Sequence, residues 1–305
     1  MWIAKPIKAL SSDEAFFFQQ ISEEKNFPLS QTLEWGKAGE AAGVQPFIAF
    51  ETEKKIGGLA FDINHEMICT NGPYLNWSKD IINEELATFV YALTQAQKSI
   101  KKVVIKPRWY KKDEVDFSSF LKFPIHSFES SATKIISVPQ YSKLDETLGT
   151  KIRHELSRVE KFQDKLTIYT PELSHFYQGL KRHNDKRGDY LPPFSWFQAL
   201  EKATLFGMKL DNLIQTEILV ACHNQSANYL YAYEDRTENS PNISLNLALQ
   251  KDILIFCDKK KIRKYDLGGY KLNIDEDDSY WGVKQFKDKL PGEIIEYLSP
   301  VFIFE

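Results

Sequence analysis

Apolar runs separated by polar turns predict two α/β units, one after the other along the chain. In the first half, helical spacing predicts a helix over 28–43 with Ser30 or Thr32 as its N-cap. Two strands, PFIAFE and IGGLAF, flank the polar connection TEKK, and a third strand over 67–69 ends at an Asn-Gly-Pro turn. The helix IINEELATFVYALTQAQKSI and the strand KKVVIKPRW complete this first unit.

The second half repeats the same order of elements. It predicts the helix KIRHELSRVEKF, the strand LTIYT, helices over 172–186 and 194–206, the hairpin TEILVACHNQSANYLYAYED, the helix ISLNLALQKDILIFCDKKKI and the strand KYDLGG. Trp35 and Trp196 are as far apart in the chain as Val104 and Tyr265. Equal order at equal spacing indicates an internal repeat, and hairpins beside helix-linked strands give each unit a mixed sheet. The predicted units are residues 1–145 and 146–305.

The strand KYDLGG ends on two adjacent glycines. Basic residues over 259–264 close the preceding helix, and residues 265–267 form a short buried strand. Gly268 and Gly269 then allow the backbone to leave the strand with torsion angles that other residues resist. The pair is either a tight strand exit or a cleft wall along which a ligand approaches bare backbone, and the physics alone favours the first interpretation.

Composition restricts the class of protein. A chain of 305 residues with 43% hydrophobic content buries one large core or two of ordinary size. Its 39 basic and 42 acidic residues nearly cancel, so net charge demands neither a nucleic acid nor an anionic membrane as partner. Three cysteines without C-x-x-C spacing argue against disulfides and structural zinc. The absence of a signal-type or membrane-length apolar run predicts a cytoplasmic protein without stable membrane insertion.

Several common catalytic motifs are absent. The sequence has no P-loop, no G-x-G-x-x-G, no G-x-S-x-G and no H-E-x-x-H, which removes the usual signatures of nucleotide hydrolysis, dinucleotide binding, serine esterase and zincin chemistry. The six histidines lack metal-ligand spacing, and the acidic run over 275–278 lacks the alternation of a calcium loop. No metal and no cofactor are therefore predicted.

The segments YDLGGY and WGVKQFKDKLPGE resemble the Fem family of aminoacyltransferases (the FemX, FemA and FemB type), in which a YDxGG strand precedes a helix with an FK pair and a glycine. QTLEWGK, NGPY, TKIRHELSRVEK and HNDKRGDYLPPFSWF resemble further family segments in the same order. This resemblance implies an α/β (mixed α+β) fold of two tandem GNAT (acyl-CoA N-acyltransferase)-like domains with mixed sheets. Sustained heptads are absent, so the form without helical arms is expected.

The resemblance also implies a reaction, the transfer of an amino acid from aminoacyl-tRNA to an amine of a peptidoglycan precursor or another peptide. The aminoacyl ester is already activated, so the protein mainly aligns two large substrates and supplies a cation near the ester. Negative charge develops on the carbonyl oxygen during attack, and one well-placed donor lowers the barrier by about 3 kcal/mol.

Lys287 in QFK is the main catalytic candidate, facing the developing oxyanion or the charged end of the tRNA. Its alternative role is that of an amphipathic-helix lysine beside a buried Phe286. Asp266 either holds the attacking amine or accepts a hydrogen bond from a nearby backbone amide. Substrate-binding candidates from the same strand are Tyr265, Gly268 and Gly269.

Other candidates lie in the remaining family-like segments. Lys37 and Arg187 match basic positions of the substrate site, and Tyr190 takes an aromatic position beside Arg187. The basic helix supplies a candidate tRNA face made of Arg153, Arg158 and Lys161. An ordinary amphipathic surface helix explains that pattern equally well, because apolar residues share the helix.

Two departures from the family pattern keep other functions open. Pro192-Pro193 stands near the place of a second arginine, and Asn71 stands where many members have arginine, which argues against the usual UDP-linked precursor. One alternative is an acyl-CoA-dependent N-acyltransferase, although the GNAT pyrophosphate loop is missing before ISLNLAL. A second alternative is a non-catalytic binding protein on the same fold, since fold alone does not fix function.

Overall fold

The computed structural model describes residues 2–75, 81–110, 123, 125–139, 148–188 and 190–305, without the side chains at 109, 110, 128, 130 and 187. Backbone proximity divides the chain into two units. Unit 1 comprises Met1–Ser131, Ser195–Glu201 and Glu296–Glu305, and unit 2 comprises Ala132–Phe194 and Lys202–Ile295. The predicted boundary at 145/146 falls within 140–147, which lies outside the described residues.

Unit 1 is a mixed sheet with helices on both faces. Its strands are β1 (Trp2–Pro6), β2 (Gln45–Glu51), β3 (Ile56–Ile63), β4 (Glu66–Thr70), β5 (Lys102–Lys106) and β6 (Trp109–Tyr110), and its helices are α1 (Ser12–Glu24), α2 (Leu33–Ala41) and α3 (Ile82–Ala96). Strands β1 to β4 pair antiparallel in chain order, and β4 pairs parallel with β5.

Strand β2 is buried along almost its whole length because both faces of the unit 1 sheet are covered. Phe47 packs in the cluster that contains Phe89 of α3, whereas Ile48 packs in the cluster that contains Phe18 of α1. Helices α1 and α2 both have side-chain caps at their N-termini, and the cap of α2 is the predicted Thr32. Ser11 forms a capping box ahead of α1, and the Thr32 hydroxyl accepts from Trp35 N at the start of α2.

Unit 2 repeats this arrangement. Strand β7 (Ile125–Ser137) leads from unit 1 into unit 2. The later elements are α4 (Thr150–Glu160), β8 (Leu166–Tyr169), α5 (Leu173–Arg187), α6 (Phe194–Gln198), β9 (Ala203–Leu210), β10 (Ile214–His223), β11 (Ser226–Arg236), α7 (Leu245–Lys259), β12 (Lys264–Gly269), α8 (Trp281–Lys289) and β13 (Glu293–Phe304). Of these, most of α6 and the larger part of β13 belong to unit 1. The sheet order in unit 2 is β7-β12-β11-β10-β9-β8, with only β11 and β12 parallel.

The predicted repeat is confirmed. Each half of the chain runs strand, two helices, three antiparallel strands, helix and a further strand that joins in parallel. The predicted helix over 194–206 is wrong in its second part, because α6 ends at Gln198 and β9 begins at Ala203. Strand β9 forms eight residue pairs with β10 and also pairs with β8, so ladder hydrogen bonds on both sides outweigh the local helical spacing.

Helix length and apolar content also bear on membrane contact. Among the helices of the described chain, none combines the length and hydropathy that crossing a bilayer requires.

We predict that Gly179→Ala destabilises the protein although alanine is the better helix former. Gly179 lies inside α5, and a Cβ at this position would come within 2.2 Å of the Tyr233 ring. The fully packed ring cannot yield freely, so the free energy of unfolding should fall by about 1–3 kcal/mol in urea denaturation.

Gly282→Ala is the matched control, because Gly282 lies in α8 and a Cβ there meets nothing within 4 Å. Its free energy of unfolding should stay constant or rise by up to about 1 kcal/mol. Equal effects of the two substitutions would contradict the close approach of α5 to β11.

Candidate functional site

The two parallel strand pairs differ in how far they are paired. In unit 1, β4 and β5 form five residue pairs from Glu66↔Lys102 to Thr70↔Lys106, and Asn71 N donates to Lys106 O at 2.9 Å just beyond them. In unit 2, β11 and β12 form only three residue pairs, which end at Asn228↔Asp266. The parallel ladder therefore ends after three residue pairs in unit 2, whereas the ladder in unit 1 has five.

A bulge in β11 follows directly on the last of these pairs. Tyr229 pairs with Val220 and Tyr231 pairs with Leu219, so Leu230 is the extra residue of the bulge. Bulges redirect the strand and commonly lie beside active sites. The bulge and the end of parallel pairing coincide, so the regular pairing of β11 with β12 stops at Asn228 and Asp266.

In unit 1, a buried side chain joins β3 to the end of β4, beyond the last residue pair of their ladder. The Gln31 amide donates to Leu59 O at 3.0 Å and to Thr70 O at 2.7 Å, and its oxygen accepts from Leu59 N at 2.8 Å. Gly58 and Gly72 give it space, since a Cβ at either position would approach Gln31 within 3.2 Å. The amide nitrogen and the amide oxygen of Gln31 therefore both have backbone partners.

The Asp266 carboxylate stabilises the backbone turn at the end of β12. Gly268 has φ +73°, a left-handed conformation that favours glycine, and its N–H donates to Asp266 Oδ1 at 2.8 Å. The Thr133 hydroxyl on β7 lies within hydrogen-bonding distance of the Asp266 carboxylate and of Gly268 O (2.9 Å). Asp266 thus accepts a backbone hydrogen bond, which is one of the two roles considered for it, and it shapes the glycine turn.

Lys287 lies beside this turn. Its residue is only 5% exposed, and its ammonium donates to Gly268 O at 3.3 Å and to Gly269 O. Burial lowers the pKa of Lys287 to about 8, while the charge of Asp266 acts in the opposite direction. Lys287 is therefore not the exposed lysine of an amphipathic helix, and it forms a buried cation next to the exit of β12.

Sequence reasoning missed a second buried lysine near this site. Lys134 on β7 is 6% exposed, and its ammonium donates to the backbone carbonyl of Lys287 at 2.9 Å. Burial lowers the pKa of Lys134, and the neighbouring Asp288 partly counteracts this shift. The Asp288 carboxylate accepts from Tyr270 OH and from Lys284 Nζ (2.8 Å). A lone lysine within the apolar strand ATKIIS was the available sequence signal.

The other candidates of the β12 region and of α5 have varied environments. Tyr265 is completely buried, and its hydroxyl donates to Gln250 Oε1 at 2.8 Å, which favours a packing role. Gly269 is exposed, and a Cβ there would meet nothing within 4 Å. Tyr190 is 82% exposed. Arg187 is the last residue of α5, and its side chain lies outside the described residues.

The basic candidates lie on helix surfaces. Lys37 is exposed on α2 of unit 1. Arg153 on α4 and Lys161, the C-cap residue of α4, are exposed, whereas Arg158 donates to Asn242 O and contacts Glu155 at 3.5 Å. Ile152, Leu156 and Val159 anchor the opposite face of α4 in the core. The structure brings together Lys287, Asp266, Gly268 and Gly269, and it leaves Lys37 in the other unit.

The N-terminus of α7 is relevant to any ligand that carries a pyrophosphate. Helix N-termini bind such anions through free amides. Here Asn246 N donates to Glu234 Oε2 at 3.0 Å, and Leu247 N donates to the capping hydroxyl of Ser244 at 3.3 Å. A protein carboxylate therefore already occupies part of this anion-binding position.

The arrangement suits electrostatic stabilisation of a developing negative charge. A cation fixed in a poorly hydrated place interacts strongly with an oxyanion, and its position costs no reorganisation during the reaction. No group of metal-ligating side chains occurs among the described residues.

Comparison with known proteins identifies the fold. No protein-family model matches the sequence, and the search of curated proteins found no match. Among solved structures, FemX superposes with TM-score 0.73 over 95% of this chain and 96% of that chain at 14% identity. L-PGS from Bacillus licheniformis gives TM-score 0.57 over 93% and 90% at 12% identity, and a tandem GNAT protein from the clavulanic acid biosynthesis pathway gives 0.51 over 98% and 98% at 8% identity. The chain has a Fem-like tandem GNAT fold.

We predict that Lys287 makes stability depend on pH above neutrality. The folded-state pKa of about 8 lies below the reference value of 10.5, so the unfolded chain binds more protons between these two values. Stability of the native protein relative to Lys287→Met should therefore rise with pH across this window, with a slope approaching about 1.4 kcal/mol per pH unit. Urea unfolding of both proteins at pH 7, 8, 9 and 10 measures the difference, and parallel stability profiles would show that Lys287 is hydrated.

Proposed function

We propose that this protein is a FemX-like aminoacyltransferase that moves an amino acid from aminoacyl-tRNA to an amine of a peptidoglycan precursor or a related peptide. The observation that carries the proposal is the buried Lys287 ammonium at the exit of β12, just beyond the last residue pair of β12 with β11. The tandem GNAT fold supports acyl transfer in general, and the geometry at Lys287 supports the more specific reaction.

The reaction requires charge stabilisation more than a protein nucleophile. The acceptor amine forms a C–N bond to the ester carbonyl carbon, and the carbonyl oxygen becomes an oxyanion. The C–O bond to the ribose then breaks, and the leaving oxygen takes a proton released by the amine. The Lys287 ammonium has three N–H groups. It donates one to Gly268 O and one to Gly269 O, so one remains for the oxyanion.

The donor is better matched by tRNA than by coenzyme A. Glu234 places a negative charge at the α7 N-terminus, where it would repel a pyrophosphate and compete for the same amide. A tRNA acceptor stem instead meets Arg153 and Lys161, which lie exposed on α4 and at its C-cap. The acyl-CoA-dependent enzyme and the non-catalytic binding protein remain the two alternatives.

On the strength of the family-like segments, we propose Arg187 and Tyr190 of unit 2 as acceptor-binding residues and, separately, Lys37 of unit 1 as a substrate-binding residue. Tyr190 offers an exposed aromatic ring, and Lys37 offers an exposed ammonium. Phosphate or carboxylate groups of the acceptor would pair with the basic side chains. Asn71 and the Pro192-Pro193 pair stand at or near positions where family members have arginine. This difference favours an acceptor with fewer anionic groups than the UDP-linked precursor.

We predict that Lys287→Met lowers the aminoacyl transfer rate by about 100- to 1,000-fold, because a single oxyanion donor is lost. The assay combines radiolabelled aminoacyl-tRNAs with peptidoglycan precursors and branched peptides, and transfer is read from the labelled product. Lys289→Met is the matched control, since Lys289 is exposed two residues further along α8, and it should retain the native rate.

The same assay decides between the candidate functions. Transfer from acetyl-CoA together with none from any tRNA would establish the acyl-CoA alternative. A native rate in Lys287→Met would remove Lys287 from the chemistry. Ligand binding without turnover of either donor would favour the binding protein.

We predict that Arg153→Ala combined with Lys161→Ala weakens tRNA binding and reduces its salt dependence. Each lost phosphate contact should lower the slope of log affinity against log salt by about 0.7–0.9. Filter binding at several salt concentrations measures the slope. Ser157→Ala is the control on the same helix, because Ser157 is exposed and uncharged. An unchanged slope in the double variant would place the tRNA elsewhere.

A further inference from the structure

Lys134 is a charged side chain inside a buried strand. It lies on β7 between Thr133 and Ile135, in the segment that pairs with β12, and only 6% of the residue is exposed. Burial of an ammonium is costly unless strong acceptors replace its water. The fold keeps lysine at this position, where an apolar residue would pack at lower cost, and this indicates a use for the charge.

The acceptor that Lys134 finds is the backbone of the catalytic candidate. Its ammonium donates to Lys287 O, which lies in the last turn of α8 and also accepts from Leu290 N at 3.1 Å. Carbonyls of a last helical turn have no partner within the helix and carry the negative end of its dipole. A buried cation at this place fixes the turn in a way that the exposed Lys289 cannot.

Helix α8 has a second attachment, to Tyr270, the residue that follows β12. Tyr270 OH donates to Asp288, and Tyr270 N donates to Ala132 O at 2.7 Å, next to the strand segment that carries Lys134. Residues 287 and 288 are thus attached to β7 and to the β12 exit. The Lys287 ammonium reaches Gly268 O and Gly269 O from this fixed turn.

We propose that Lys134, assisted by Tyr270, is a positioning residue for acyl transfer: it holds the last turn of α8 so that the Lys287 ammonium stays seated on the Gly268 and Gly269 carbonyls. The inference rests on the proposed function, because it assigns Lys134 a role toward the reaction that Lys287 serves. It adds a second residue of β7 to a site in which Thr133 already contacts Asp266 and Gly268.

The experiment separates positioning from a purely structural role. Lys134→Met keeps the apolar stem and removes the charge, so folding alone predicts a free energy of unfolding that is unchanged or higher. Positioning predicts that kcat nevertheless falls by roughly 10- to 100-fold, the scale expected for a misplaced catalytic group, while KM changes by less than about threefold. Lys134→Arg, which retains a charged donor, should recover part of the lost kcat, and Lys289→Met should behave as the native protein.

A second readout does not depend on turnover. Reductive methylation with 13C followed by NMR titration, with Lys287→Arg to assign the resonance, reports the pKa of Lys287 in the folded protein. In Lys134→Met the loosened turn should hydrate Lys287, so this pKa should rise from about 8 toward 10.5. The alkaline limb of the pH–kcat profile should move in the same direction.

The outcomes are distinct. Native kcat and an unmoved Lys287 pKa in Lys134→Met would overturn the positioning role. If Lys287→Met retains full activity while Lys134→Met shifts the Lys287 pKa, the proposed reaction fails and the structural coupling stands. If Lys134→Met does not fold, Tyr270→Phe removes the second attachment of the helix; a raised Lys287 pKa with lowered kcat supports the inference, and no change in either overturns it.

Discussion

The site depends on one constraint, which is that a buried ammonium must be given acceptors in place of water. Lys287 meets it with the carbonyls of Gly268 and Gly269, and those carbonyls are available because the parallel pairing of β12 has already ended. The left-handed Gly268 turns the backbone, and Asp266 and Thr133 hold that turn. The strand exit, the glycine pair and the lysine are therefore parts of a single solution to the cost of desolvation.

The two units show how one fold is adapted in different ways. In unit 2 the parallel ladder of β11 and β12 ends after three residue pairs beside a bulge, whereas in unit 1 the ladder of β4 and β5 has five residue pairs and the Gln31 amide links β3 to the end of β4. A buried amide of this kind stabilises the structure because its polar atoms and the backbone groups around it have partners. The difference lies in a few residues and leaves the common topology intact.

Much of the fold was visible in the sequence because it follows from local rules. Hydrophobic spacing indicated the repeat, Thr32 indicated a helix start, and the glycines after Leu267 indicated a strand exit. The residues over 203–206 were misassigned to a helix, since pairing with β8 and β10 decides their conformation. Lys134 was missed for a related reason. Its partner is 153 residues away in the chain, and no local pattern reports such a contact. Tyr265 is the opposite case. The family resemblance made it a substrate-binding candidate, and its side chain lies in the core.

The Gln31 amide has a consequence for the substitutions that unit 1 tolerates. It links β3 to the end of β4 beyond the last residue pair of their ladder, through hydrogen bonds to the backbone of Leu59 and Thr70. An apolar side chain at position 31 would remove these partners from buried backbone groups, so one side chain does at this place what the ladder does along the rest of the two strands.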